Sequence, residues 1–284
     1  MNYHRLLLFV LVCSCSLSLS AQNKVLLNIA MDPGKTYKTE VATEMDMEMN
    51  AKVDSATMAS LIASGMKFPM KIHMKQEIGT TTKTGSRQAD NKIPVTMTYD
   101  KLIAESTVGG QEAPPSQNPF ANAVIEGHTM GDFKVTIDTI KGEMDESLRT
   151  SLRQMVNSIQ ENIKYPKQEM KIGDSFQQEV PMKMPIPGMD LSMKLVIKYV
   201  LREIKNDKAT FDMQQQMVMD MTNAGNSNKG NGSGAGTGVM VYNIAKKIPE
   251  ASDSNIQFQL DFNVSGLQMS AKCDTKTQTS TSIL

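Results

Sequence analysis

Met31-Asp-Pro-Gly-Lys-Thr-Tyr-Lys-Thr-Glu-Val-Ala-Thr-Glu-Met-Asp-Met-Glu-Met49 opens on a turn and then alternates without a break. Pro33 pre-sets its φ and Gly34 supplies a permissive position, so residues 32–35 read as the turn. Tyr37, Thr39, Val41, Thr43, Met45, Met47 and Met49 then fall on one side of an extended chain. Lys38, Glu40, Ala42, Glu44, Asp46 and Glu48 fall on the other. Period two over this length is the pattern of a strand with one wet face. Such strands build antiparallel sheets that meet water on one side.

The opening returns as Met170-Lys-Ile-Gly-Asp-Ser-Phe-Gln-Gln-Glu-Val180. Both copies read Met-x-x-Gly-x-[Ser/Thr]-[Tyr/Phe]-x-x-Glu-Val. A second echo follows, since Met189 to Ile197 matches Met70 to Ile78 as Met-x-[Leu/Ile]-x-Met-Lys-x-x-Ile. The offset between copies shrinks by about 20 residues from the first match to the second, the size of a helical insert at residues 51–66. Asp54 or Ser55 can cap that insert, Met58, Leu61 and Ile62 share a face, and Gly65 can end it. The Gly-Lys-Thr of the first copy becomes Gly-Asp-Ser in the second, which a phosphate cradle would not tolerate in both. The shared residues suit a turn entering a strand.

Further alternating runs lie at Ile93 to Tyr99, Phe133 to Ile137, Phe211 to Met221, Ile256 to Val264 and Leu267 to Cys273. The clearest helix spans residues 145–166. Asp145 caps it, Leu148, Leu152, Met155, Val156, Ile159 and Ile163 recur at helical spacing, and Pro166 closes it. Residues 223–238, rich in Asn, Gly and Ser, read as a mobile loop. The expected fold is mainly β, of α+β type. Two similar antiparallel repeats, residues 22–144 and 167–284, form a curved sheet or open barrel, and the central helix lies against its apolar face.

Residues 1–21 read as a secretory signal peptide, with His4 and Arg5 before an apolar run and cleavage expected after Ala21. A rival reading makes Cys15 a lipidated cysteine. No other apolar run approaches the ~20 residues of a membrane-spanning helix. The chain is therefore expected outside the cytoplasm, in the periplasm or at the surface of a Gram-negative cell. Removing residues 1–21 takes Arg5 and no acid, so 29 Lys and Arg face 30 Asp and Glu, a net of −1. That balance gives no field for nucleic acid or anionic lipid. Cys273 is then the only cysteine, so no internal disulfide forms, and its face-mates Met269 and Ala271 make it a small buried apolar residue.

At the residues Gly34 to Tyr37, Phe133 to Gly142 and Gly173 to Phe176, the chain resembles a family of exported proteins of gut- and marine-type Gram-negative bacteria, of uncharacterised function. Phe176 stands where that family carries Trp. The resemblance implies an envelope location and a β-rich fold, and no activity.

Methionine is the unusual component, with 24 residues and no Trp. Met45/Met47/Met49, Met182/Met184 and Met217/Met219/Met221 are spaced i, i+2, which lines thioethers along one face of a strand. Thioethers can hold Cu(I). Val41, Phe211 and Met213 continue the same faces as ordinary core, so apolar packing fits better. Flexible Met linings also suit apolar ligands. Met45, Met47, Met49, Met213, Met217, Met219 and Met221 are thus the candidate lining of an apolar site. Catalysis has little to build on. His73 sits on a polar strand face, His128 in a Gly-rich turn, no Gly-x-Ser-x-Gly elbow occurs, and Glu44, Asp46 and Glu48 lie on a wet face. The reading is a non-enzymatic binding module for an apolar small molecule or an envelope protein, with no cofactor. The alternatives are a periplasmic Cu(I) protein using the Met rows and a hydrolase with an unrecognised site.

Overall fold

The computed structural model describes residues 24–63, 65, 67–113, 122–186, 189–223, 226–264 and 267–284. For residues 151, 155, 159, 182–186, 189–191, 222, 223, 226–229 and 264 it describes the backbone alone. The expected leader, with Cys15, lies outside the described residues.

The chain forms one large antiparallel sheet. In its first half the strands are β1 (Lys24–Val25), β2 (Thr36–Ala51), β3 (Met70–Thr84), β4 (Ile93–Val108), β5 (Gln111–Glu112), β6 (Val124–Thr129) and β7 (Thr136–Lys141). The second half supplies β8 (Met170–Lys171), β9 (Ser175–Ile186), β10 (Met189–Lys205), β11 (Lys208–Asn223), β12 (Asn226–Asn243), β13 (Ile248–Val264) and β14 (Leu267–Ile283). Among the described residues two helices interrupt them, α1 (Ser55–Ala63) and α2 (Glu146–Asn162). The strand order β7-β6-β4-β3-β2-β14-β13-β12-β11-β10-β9 makes two meanders joined where β14 pairs with β2. β5 is a short flap on β4, and β1 pairs with β8 as a separate ribbon.

The sheet is not closed by strands. Its two edge strands, β7 and β9, instead both pack on α2. Asp145 accepts the Leu148 N–H at 2.7 Å, capping the helix as its sequence position predicts. Arg149 donates to the carbonyls of Ile140, Gly142 and Met144 at 2.6–3.1 Å, fastening the first turn to the end of β7. Leu152 is buried with Ile125, Ile137 and Ile140, and Val156 packs against them. The central helix therefore bridges the seam of a curled sheet, resting on the apolar face of its first half.

Both turn glycines of the opening stretches are left-handed, with φ of 68° at Gly34 and 94° at Gly173, and each leads into a long strand, β2 or β9. The first turn is tied by the Asp32 N–H donating to Tyr37 Oη at 2.8 Å, which Phe176 at the equivalent position cannot copy.

One expectation is overturned. Of the expected loop at residues 223–238, positions 224 and 225 lie outside the described residues, and residues 226–243 are not a loop but β12, paired with β11 and, from Gly230 on, with β13. Gly230, Gly232, Gly234, Gly236 and Gly238 occur at every second residue, so all five present the same face. There the flanking strands lie unusually close. A Cβ on Gly236 would stand 2.2 Å from the Asn255 carbonyl, and one on Gly234 2.4 Å from Phe258 Cβ. Ordinary cross-strand Cβ atoms are about 5 Å apart. The sheet is thus creased toward its apolar face along β12, and glycine is what lets it crease. Met213, Met219 and Met221 extend their methyl groups over the glycines. Within the insert the helix is α1, capped as expected by Asp54, which accepts the Ala56 and Thr57 N–H groups at 2.9 and 3.0 Å, while Ala51 still belongs to β2.

Candidate functional site

The two faces of the sheet differ completely in charge. From β3 through β2, β14, β13 and β12 to β11 and β10, one face carries no Lys, Arg, Asp or Glu over residues 70–84, 37–51, 267–283, 252–262, 230–242, 209–221 and 191–201. The opposite face carries Lys71, Lys75 and Glu77 on β3, Glu44, Asp46 and Glu48 on β2, and Lys272, Asp274 and Lys276 on β14. Its ion pairs include Lys194–Glu179 at 2.7 Å and Arg202–Asp212 at 2.6 Å, all solvated and worth little to stability.

The strand registers sort the uncharged face into transverse rows. Met47 is level with Ile72, Cys273, Phe258, Gly234, Met217 and Leu195. One step along, Met49 is level with Met70, Ala271, Leu260, Gly232, Met219 and Met193. The candidate methionines therefore share rows but do not converge. Three strands, β14, β13 and β12, separate Met45, Met47 and Met49 from Met213, Met217, Met219 and Met221. The environments differ too. Met213, Met217 and Met219 are buried, folded over the glycine crease, whereas Met45, Met47 and Met49 are half-buried and their neighbour Met74 is 42% exposed.

One end of the curled face is plugged. Val25 and Leu27 sink into a core with Met170, Tyr199, Leu201, Phe211, Met240 and Tyr242. Residues 24–31 run over that core as a strap. Tyr242 Oη accepts the Asn28 N–H at 3.2 Å and donates to the Asn28 carbonyl at 3.1 Å. Ala30 donates to the Lys247 carbonyl and Met31 to that of Gly131, both at 3.2 Å, so the strap links the two meanders. Phe176 stacks on Tyr199 at 4.7 Å and meets Phe211 edge-on at 6.0 Å, and Tyr165 stands between Phe133 and Phe176. Burial raises the Tyr165 phenol to about 12 and pushes Tyr199 up further.

The row directly above this plug was missed from sequence. It runs Gln178, Ile197, Gln215, Gly236, Ile256, Thr275, Met45, Met74. Gln178 and Gln215 are 5% and 6% exposed. Gln215 Oε1 and Thr275 Oγ1 are buried with no hydrogen-bond partner in the protein, and Gln178 Nε2, equally buried, has only the Tyr165 phenol oxygen to donate to, which leaves its second N–H unpaired. A further unpartnered atom, Arg153 Nε on α2, is outside the row. The signal was a single amide interrupting the apolar alternation of Phe211 to Met221.

The groups considered for catalysis lie elsewhere. His73 is on the charged face, where its Nδ1 meets Asp46 at 2.8 Å and its Nε2 meets Glu44 at 3.6 Å. An open groove of about 1080 Å³ beside it is lined by Asp46, His73, Gln257, Lys272 and Asp274. With both imidazole nitrogens facing carboxylates, His73 has no nitrogen directed at a nucleophile. His128 is on β6, not in a turn, and its Nδ1 faces Asp138 at 3.0 Å. Cys273 is buried opposite Met47, and burial raises its thiol to about 11, away from the thiolate that reacts or binds metal. Among the described residues no group of His, Cys, Asp and Glu has the arrangement of a metal site, and no helix is long and apolar enough to cross a membrane.

No protein-family model and no curated protein matches the chain. Among solved structures it is similar to OccK5 (OpdH) of Pseudomonas aeruginosa, at 6% identity and a TM-score of 0.26 over 88% of this chain and 98% of that one. It is similar to OpdQ of the same organism at 6% identity and a TM-score of 0.24, again over 88% and 98%. A bacterial polysaccharide outer membrane secretin aligns at 7% identity and a TM-score of 0.25, over 85% of this chain and 97% of that one.

Proposed function

We propose that this is an exported, non-enzymatic envelope protein that holds an apolar ligand along the uncharged face of its curled sheet. One observation carries the reading. The apolar face continues, without a charge, well beyond the part that the strap, the crease and α2 bury. In β2 and β3 that face is half-buried, and Met74 is exposed. A continuous exposed apolar surface rimmed by polar residues is the mark of a binding surface. Methionine lets such a surface adapt to its occupant. The charged opposite face excludes the sheet from serving as a lipid-exposed barrel wall, which needs an apolar band there. The leader at residues 1–21, and the resemblance at Gly34 to Tyr37 and Gly173 to Phe176, support the envelope location.

Native mass spectrometry of the protein purified from its own host tests this directly. The expected result is added mass that organic solvent releases and a chelator does not. A bare chain under gentle ionisation would overturn the reading.

A copper(I) role has narrower support. Met45 pairs with Met74 and Met49 with Met70 across β2 and β3, and Met47 pairs with Cys273. Titration with Cu(I) against a chromogenic competitor decides it, and no competition would exclude it.

A further inference from the structure

The row Gln178–Gln215–Thr275 is the floor of the uncharged trough. Below it on β9 to β11 lie Phe176, Tyr199 and Met213, level with one another and part of the sealed plug, and the same row continues under Thr275 as Ser254, Thr277, Thr43 and Gln76. Above it, on β11, come Met217, Met219 and Met221. From Gln215 to Met221 is six residues, about 20 Å at the rise of a strand. The floor is polar and everything above it is apolar.

A buried amide or hydroxyl without a partner costs about 1–3 kcal/mol, and two at one level, beside the half-satisfied amide of Gln178, is a concentrated cost. Nothing in the packing requires it, because methionine has nearly the shape of glutamine and already occupies both neighbouring positions on β11. Ile197, Ile256, Thr275 and Met45 in the same row are half-buried, so the row is not sealed along its length.

We propose that this row receives the head of a single-chain amphiphile: a long acyl or alkyl chain ending in an uncharged group that both donates and accepts hydrogen bonds. This rests on the apolar-ligand reading and specifies it. Gln215 Oε1 accepts, the Thr275 hydroxyl does either, and Gln178 Nε2 donates the N–H that Tyr165 leaves free, which suits a glycerol or amide head. The head is neutral, because the strands of this face offer no opposite charge to offset the desolvation of an ion, Arg153 standing on α2 instead. The chain lies head-down, with its length along the Met217, Met219 and Met221 rows toward the unplugged end.

The test uses the mature protein, diphenylhexatriene as an uncharged apolar probe, and monopalmitoylglycerol as the competitor. The dye should bind the native protein and the Gln178→Met/Gln215→Met double variant alike. Monopalmitoylglycerol should displace it from the native protein at a concentration at least tenfold lower than from the variant. Equal displacement from both, with the variant melting higher, overturns the polar floor and leaves apolar binding standing. No dye bound by either protein overturns the apolar-ligand reading itself. Palmitate displacing the dye better than monopalmitoylglycerol overturns the neutral head. Thr275→Val, which keeps the shape of the side chain, should show the same contrast to a smaller degree and serves if the double variant does not fold.

Discussion

The wing from β9 to β12 and the wing formed by β2 and β3 present faces of the same alternating chemistry to opposite fates. In the first, Leu201 and Phe211 are 0% exposed and Tyr242 1%. In the second, Met45, Met47 and Met49 are half-buried and Met74 is 42% exposed. Side-chain hydrophobicity does not separate them, since Met217 and Met47 occupy one transverse row. The difference lies in their neighbours. β12 is stripped of side chains on the inner face, so β11 and β13 can fold together over it, and the strap covers the end. β14 has side chains at every inward position, among them Ala271, Cys273 and Thr275, so β2 and β13 stay apart. An apolar stripe thus becomes core or trough according to the strand beside it.

Filling the crease should break this comparison most severely. Gly236→Val places a branched side chain where even a Cβ would stand 2.2 Å from the Asn255 carbonyl, so loss of more than about 4 kcal/mol is expected in chemical denaturation. A variant as stable as the native protein would show that the crease is not set by the glycines. Truncation separates the wings next. Phe211→Ala should cost about 4 kcal/mol, the expense of a cavity in sealed core, and Met47→Ala about 1 kcal/mol from a half-buried position. Equal losses would mean that the β2 side is packed as tightly as the β11 side.

Alkali reaches both the plug, through Tyr165, and the trough wall, through Cys273 level with Met47. Both are held neutral by burial, with pKa values raised to about 12 and about 11. A raised folded pKa gives stability that is whole below the unfolded value, 9.0 for the thiol, and lost as pH rises through 11. Melting temperature should fall between pH 9 and 11, and Cys273→Ala should remove the part due to the thiol. The smallest effect is at the strap. Tyr242→Phe removes both hydrogen bonds to Asn28 and should cost about 1 kcal/mol, with faster amide exchange confined to residues 24–31.

The amino-acid pattern reveals the faces better than the assembly. Residues 37–49 declare the charged and uncharged sides of β2, and the spacing of Leu148, Leu152 and Val156 declares α2, because burial imposes those periods locally. The Gly, Asn and Ser of residues 226–238 look like a loop by composition, yet their glycines keep period two, which is the strand signal in its side-chain-free form. Gln215 stands out within Phe211 to Met221 as one amide in an apolar stripe. That Gln178 and Thr275 share its level depends on register between strands distant in the chain, which no local period encodes. The joining of the two meanders is hidden for the same reason, being a pairing between β2 and β14.

That pairing orders events in time. Thr39 and Thr281, whose hydroxyls lie 3.2 Å apart, are separated by 242 residues of chain. β2 therefore waits for its partner until the residues between them have been made. Each meander can form from close neighbours, but the middle of the sheet closes last. Until β14 arrives, β2 and β13 are bare edges with one uncharged side, the kind of template that captures other strands. Whatever keeps β2 and β13 from other strands during that interval therefore raises the yield of folded protein.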